Sequence, residues 1–96
     1  MGGGKVKVKF PSIVSRLIGG RREVEVEASN INEAFGRLAE SLGEKFKEAI
    51  FDHNGNVKRT LNIFLNGKNI RLMNAQELKL KDGDEISIIP AVGGGA

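Results

Sequence analysis

Cysteine is absent from this sequence of 96 residues. That removes disulfide frameworks, iron–sulfur clusters, thiolate zinc sites and cysteine nucleophiles together. A single histidine, His53, leaves histidine-rich metal sites and Ser/His/Asp triads almost nothing to build on. Tryptophan and tyrosine are missing too, so the chain is poor in the aromatic platforms on which nucleic-acid binders stack bases. No apolar run approaches the ~20 residues of a membrane span. No signal-peptide pattern stands at the start. The expectation is an intracellular, cytoplasmic protein without a membrane partner. There is no internal repeat, and the length suits one domain. Large enzymes with separate cofactor and substrate domains are excluded.

Charged residues make up 28% of the chain and apolar residues 40%, ordinary values for a globular domain. The net charge is +3 and the pI about 9.5. The pattern of those charges argues against nucleic acid as the partner. Residues 5 to 10 read Lys-Val-Lys-Val-Lys-Phe and residues 23 to 28 read Glu-Val-Glu-Val-Glu-Ala. Both alternate with period two, as a strand with one buried face does. Val6, Val8 and Phe10 point inward, as do Val24, Val26 and Ala28. An antiparallel pair then sets Lys5, Lys7 and Lys9 beside Glu23, Glu25 and Glu27. Opposite charges across strands stabilise by about 0.2–1 kcal/mol each and help select the partner strand. The lysines are thereby expected to be neutralised within the fold.

The segment from Pro11 to Arg22 is too long for a tight turn. Of its aliphatic residues Ile13, Val14, Leu17 and Ile18, three (Ile13 or Val14, Leu17 and Ile18) sit at helical spacing ahead of Gly19-Gly20, and a short helix closing one end of the core is expected, with a partner-facing loop as the alternative. The main helix follows. Asn30 is its N-cap, with Glu33 placed for a capping box. Ile31, Ala34, Phe35, Leu38, Ala39 and Leu42 form one apolar stripe, and Gly43 ends the helix. Gly36 weakens its interior. A second helical piece, 44 to 51, offers Phe46, Ile50 and Phe51 to the core. Asp52-His53-Asn54-Gly55 is a turn, with His53 solvated in it.

Leu61, Ile63 and Leu65 alternate inward along a third strand. Asn66-Gly67 is a hairpin signal, and Lys68 to Leu72 reads as the return strand. Asp82-Gly83-Asp84 is a further turn before the last strand, 85 to 90, with Ile86 and Ile88 inward. The order is strand, strand, helix, strand, strand, strand, giving an α+β roll: a mixed sheet of about five strands on one main helix. The domain is expected to span 5–92, with a disordered start over 1–4 and a flexible glycine-rich tail over 93–96.

Leu65-Asn66-Gly67-Lys68, the run from Leu80 to Ile86, Ile89-Pro90-Ala91-Val92 and the closing Gly94-Gly95 carry a resemblance. They are similar to the MoaD/ThiS family of ubiquitin-like, β-grasp sulfur carriers, and most similar to the small subunit of molybdopterin synthase. The resemblance covers Val6 to Gly95. It implies that the carboxylate of Gly95, behind Gly94, is the reactive group. An adenylating enzyme that uses ATP forms an acyl-adenylate there, and a sulfur donor then gives a thiocarboxylate. A large subunit of molybdopterin synthase uses that sulfur for molybdenum or tungsten cofactor synthesis. No cofactor is bound by the carrier itself, which supplies no catalytic side chain. A ubiquitin-like modifier joined to lysines through the same glycine is the alternative, and a β-grasp binding module without tail chemistry a third.

Glycines suit a tail that threads a narrow cleft, because they lack a Cβ. Four extended residues reach ~13–14 Å. Ala96 departs from the pattern: either it is trimmed before activation, or it is foreign to the natural chain, or the chain is an inactive relative, and the first two are favoured over the third. Alternation also leaves Phe64 and Ile89 on the sheet face away from the helix. With Pro90 and Val92 they form the expected partner surface. Lys58, Arg59, Lys68 and Arg71 are read as solvated charges near it.

Overall fold

The computed structural model describes residues 3–74 and 77–91. Five strands form one mixed sheet: β1 (Gly4–Lys9), β2 (Glu23–Ala28), β3 (Leu61–Leu65), β4 (Lys68–Asn69) and β5 (Glu85–Pro90), in the order β2-β1-β5-β3-β4. Three helices intervene: α1 (Ser12–Leu17), α2 (Ile31–Leu42) and α3 (Glu44–Ile50). The central contact, β1 with β5, is parallel, and every other neighbouring pair is antiparallel. This is the β-grasp arrangement that the element order implies.

Period-two alternation sends Val6, Val8, Leu61, Ile63, Leu65, Ile86 and Ile88 to one face of the sheet, where all are buried. The helices cover that face with Ile31, Phe35, Leu38, Phe46 and Ile50. Phe46 sits between Phe10 and Phe35, with ring centroids 6.0 and 6.4 Å away. Phe35 also meets Phe51 edge-on at 6.1 Å. Four of the five phenylalanines therefore consolidate the helix side. Phe64 alone lies on the other face.

α2 begins at Asn30, whose Oδ1 accepts from the Glu33 amide at 2.7 Å. The Glu33 carboxylate reaches one residue further back than a capping box requires. It accepts from the backbone N–H of Ser29 at 2.6 Å and from its hydroxyl at 3.0 Å. Those bonds, with Arg37 nearby, hold the Glu33 carboxyl below its ordinary pKa. Gly43, at φ 86°, ends α2 through its N–H to the carbonyl of Ala39. Gly36 is exposed in mid-helix, and a Cβ there would meet nothing within 4 Å. Gly36→Ala is expected to raise stability by about 1 kcal/mol through a less flexible unfolded chain. Thermal melts should show a rise of roughly 4–8 °C.

Four expectations change. Gly4 belongs to the domain rather than to a disordered start. It is buried, pairs with Ala28 and lies so close under the Asp82 turn that a Cβ would strike the Asp82 backbone. Met1 and Gly2 lie outside the described residues, as do 92–96 at the other end. The return strand is only Lys68–Asn69, because Asn69 caps a 3-10 turn over Ile70–Leu72 by accepting from the Arg71 amide. α1 closes the core with half its apolar residues: Val14 and Ile18 are buried, whereas Ile13 and Leu17 stay exposed. The charge rows face each other in register, Lys5 with Glu27, Lys7 with Glu25 and Lys9 with Glu23. Their ion pairs, however, run diagonally and across to β5: Lys7–Glu23 at 3.6 Å and Lys9–Glu85 at 3.3 Å. Long side chains lean along twisted strands, so the nearest Cα partner is not the nearest charge.

Candidate functional site: the sheet face and the root of the tail

β5 lies between β1 and β3, and it delivers the chain to the end of the sheet beside α1 and α3. Its last residue, Pro90, pairs with Leu61. Ala91 is fixed by a hydrogen bond from its N–H to the carbonyl of Thr60 at 2.8 Å. Of the expected site residues, Pro90 is thus anchored at the tail's root. Val92, Gly94 and Gly95 lie outside the described residues, as does Ala96.

The outer sheet face has two halves. The β2–β1 half is ionic, with the glutamate and lysine rows described above. The β5–β3 half carries Ser87, Ile89, Asn62 and Phe64. Asn62 pairs with Ile89 and Phe64 with Ser87, so Phe64 and Ile89 are diagonal neighbours on one face, within reach of each other. Ile89 is 44% exposed and Phe64 is half-buried. Of the four expected basic neighbours, Arg71 is tied to this half. Its guanidinium donates to Asn62 Oδ1 at 3.2 Å and to the carbonyl of Leu61 at 3.4 Å. Lys68 instead pairs with Glu77 at 3.4 Å, and Lys58 lies on the helix side of the tail's root.

The start of β5 is fixed by a buried carboxylate read from sequence only as a turn residue. Asp84 is 4% exposed. It accepts from Asn66 Nδ2 at 2.9 Å, from the Lys81 amide at 2.9 Å and from Lys81 Nζ at 3.2 Å. Asn66, at φ 52°, accepts in turn from the Glu85 amide at 2.9 Å. The β3–β4 hairpin is therefore riveted to the turn before β5. Burial opposes ionisation of Asp84, but the hydrogen bonds from Asn66 and Lys81 and the Lys81 charge outweigh it. The carboxyl is held below its ordinary pKa. One weak signal was available: an aspartate one residue ahead of an apolar strand.

His53 is exposed in its turn. Among the described residues, no three histidine or carboxylate side chains gather as metal ligands would, and no helix is long and apolar enough to cross a membrane.

Comparison with known proteins adds a family to this geometry. A candidate sulfur carrier protein of Archaeoglobus fulgidus is 31% identical over 90 residues, covering 94% of this chain and 98% of its own. The solution structure of small archaeal modifier protein 1 from Methanosarcina acetivorans superposes with a TM-score of 0.82 at 29% identity, over 99% of this chain and all of that one. A chain of the BexX/CysO complex from Amycolatopsis orientalis gives 0.78 at 28% identity, over 94% of this chain and 99% of its own. The ThiS family model matches residues 8–95, from the first strand through the paired glycines, and the chain is accordingly a member of the ThiS family, a sulfur carrier of the ubiquitin-like β-grasp kind.

Proposed function

We propose that this protein carries sulfur on the carboxylate of Gly95. The observation that carries the reading is the reach of the family match, which extends to residue 95 and so includes the glycine pair. A carboxylate oxygen of Gly95 attacks the α-phosphorus of ATP held by an adenylating enzyme, and pyrophosphate leaves. A sulfur nucleophile at the oxidation level of sulfide, supplied by a separate donor, then attacks the acyl carbon. AMP departs and a thiocarboxylate remains. The domain presents and aims the tail, and catalysis resides in the partners. The sulfur acceptor we propose is a pterin precursor on the large subunit of a molybdopterin-synthase-type enzyme.

The decisive experiment incubates the form ending at Gly95 with ATP, an adenylating enzyme and a sulfide source. Intact mass should rise by about 16 Da, the replacement of one oxygen by sulfur. An unchanged mass with an enzyme active on its own carrier overturns the reading. Conversion of the pterin precursor by the loaded protein and a large subunit then tests the acceptor.

The likeness to small archaeal modifier protein 1 favours one second reading, in which a lysine amine of a target protein attacks the activated glycine. A ladder of conjugates on blots against a tagged chain would support it.

On either reading the apolar half of the sheet face docks the partner. Ile89→Asp is expected to leave the melting temperature near wild type, because Ile89 is exposed, and to weaken binding of the adenylating enzyme by about 2 kcal/mol, roughly 30-fold. Titration of the labelled carrier with enzyme measures this. Phe64→Asp should cost binding and some stability together, since its ring is half-buried.

A further inference from the structure

Beside the root of the tail lies a groove of about 520 Å³. α1 forms one wall and α3 the other, and Leu61, Pro90 and Ala91 close it. Ile13 and Leu17, one helical turn apart, edge it while 62% and 45% exposed. Among the described residues only Leu72 and Ile89 are large apolar side chains of comparable exposure. The adjoining stripe of the same helix, Val14 and Ile18, is buried. α1 is thus held by one apolar stripe and offers a second one to its surroundings. Lys45, Lys58 and Glu48 also line the groove, and none of the three has an ion-pair partner among the described residues. Two cations against one anion leave the groove locally positive.

We propose that this groove seats the protein that takes up the C-terminal tail. That partner inserts an aliphatic or aromatic side chain against Ile13, Leu17 and Pro90, and sets a carboxylate opposite Lys45 and Lys58. The proposal rests on the carrier reading above. The tail's own dimensions select this occupant. Ala91 lines the groove, and only four residues separate it from the Gly95 carboxylate, a span of ~13–14 Å when extended. A cleft that holds that carboxylate at its base has its mouth at Ala91. The rim of the mouth must cover what surrounds Ala91, which is Ile89 on the sheet face and Ile13 with Leu17 on the helix side. Glycines bring almost no apolar area to binding, so affinity has to come from such flanking anchors. A second copy of this chain fits less well. Two-fold pairing would set the groove's positive charge against itself and cover the tail's exit.

The test uses the form ending at Gly95 and the purified adenylating enzyme of the same organism. ATP–pyrophosphate exchange is followed against carrier concentration. Ile13→Ser with Leu17→Ser should raise KM about tenfold with kcat within twofold and an unchanged melting temperature, since both side chains are exposed. Lys45→Glu with Lys58→Glu should raise KM about fivefold at low salt and approach wild type near about 0.5 M salt, where charges are screened. KM within twofold of wild type for both double variants overturns the groove while leaving the carrier reading intact. Absence of exchange by the unsubstituted form, with an enzyme active on its own carrier, overturns the carrier reading and the groove with it. A dimer in sedimentation that the Ile13/Leu17 variant abolishes assigns the groove to a second copy and overturns the proposal.

Discussion

The form ending at Gly95 is expected to support ATP–pyrophosphate exchange at least about 100-fold faster than the 96-residue chain. The argument is one of reach. Ala91 is fixed to Thr60, so the length of the tail is counted from a rigid point. Adding Ala96 moves the terminal carboxylate by one residue, about 3.5 Å of extended chain. It also adds a methyl group that a cleft shaped for glycine would exclude. Adenylation requires a carboxylate oxygen in line with the α-phosphorus, and misplacement on this scale removes most of the benefit of orientation. The loss should fall on kcat more than on KM, because the docking surfaces are the same in both forms. Equal kcat for the two forms would show that the enzyme accepts a terminal alanine and that no trimming is needed.

Asp84→Ala is expected to destabilise the fold by about 3 kcal/mol, a large share of what a domain of this size has. The substitution leaves the Lys81 amide and Asn66 Nδ2 without their acceptor. Hydrogen bonds to a charged group contribute about 1.5–3 kcal/mol each, and the low end applies here because both are only part-buried. The melting temperature should fall by roughly 10–20 °C. Asp84→Asn keeps the shape and removes the charge, and it isolates the pH dependence. The folded-state pKa of Asp84 is lowered, so its ionised form stabilises the fold above the ordinary carboxylate pKa of about 4. That contribution is lost as pH falls from there through the lowered folded value. Wild type should therefore lose stability more steeply than Asp84→Asn below about pH 4. Parallel curves for the two proteins would show that folding does not shift the Asp84 pKa.

Elements whose signal is local were legible in the sequence. The Lys and Glu strands declared both their buried faces and their pairing with each other, because alternation and charge complementarity point the same way, whereas the register itself comes from the structure. Asn30 and Glu33 announced the start of α2, and Asn66-Gly67 the hairpin. The diagonal neighbours Phe64 and Ile89 were found for the same reason, as apolar residues on the wrong side of an alternating strand. What sequence missed depends on long-range contact. Gly4 looked like part of a glycine-rich start, and only the Asp82 turn 78 positions further on explains why that site excludes a Cβ. Asp84 looked like one of many turn aspartates until Asn66 and Lys81 were placed around it. α1 gave its helical spacing correctly. Which two of its four aliphatic residues would face α3 and the core was not encoded in that spacing, since all four are apolar.

The parallel contact between β1 and β5 joins the first strand of the chain to the last at the middle of the sheet. Among the described residues, strand pairing joins β2-β1 on one side to β3-β4 on the other only through β5. A hairpin alone is marginal in water, so folding waits for a closure between segments nearly eighty residues apart, an entropically costly contact that also slows the process. Translation reaches β5 just before the tail. A chain cut short ahead of β5 therefore keeps both outer strand pairs but lacks the strand that unites them, and it cannot complete the sheet.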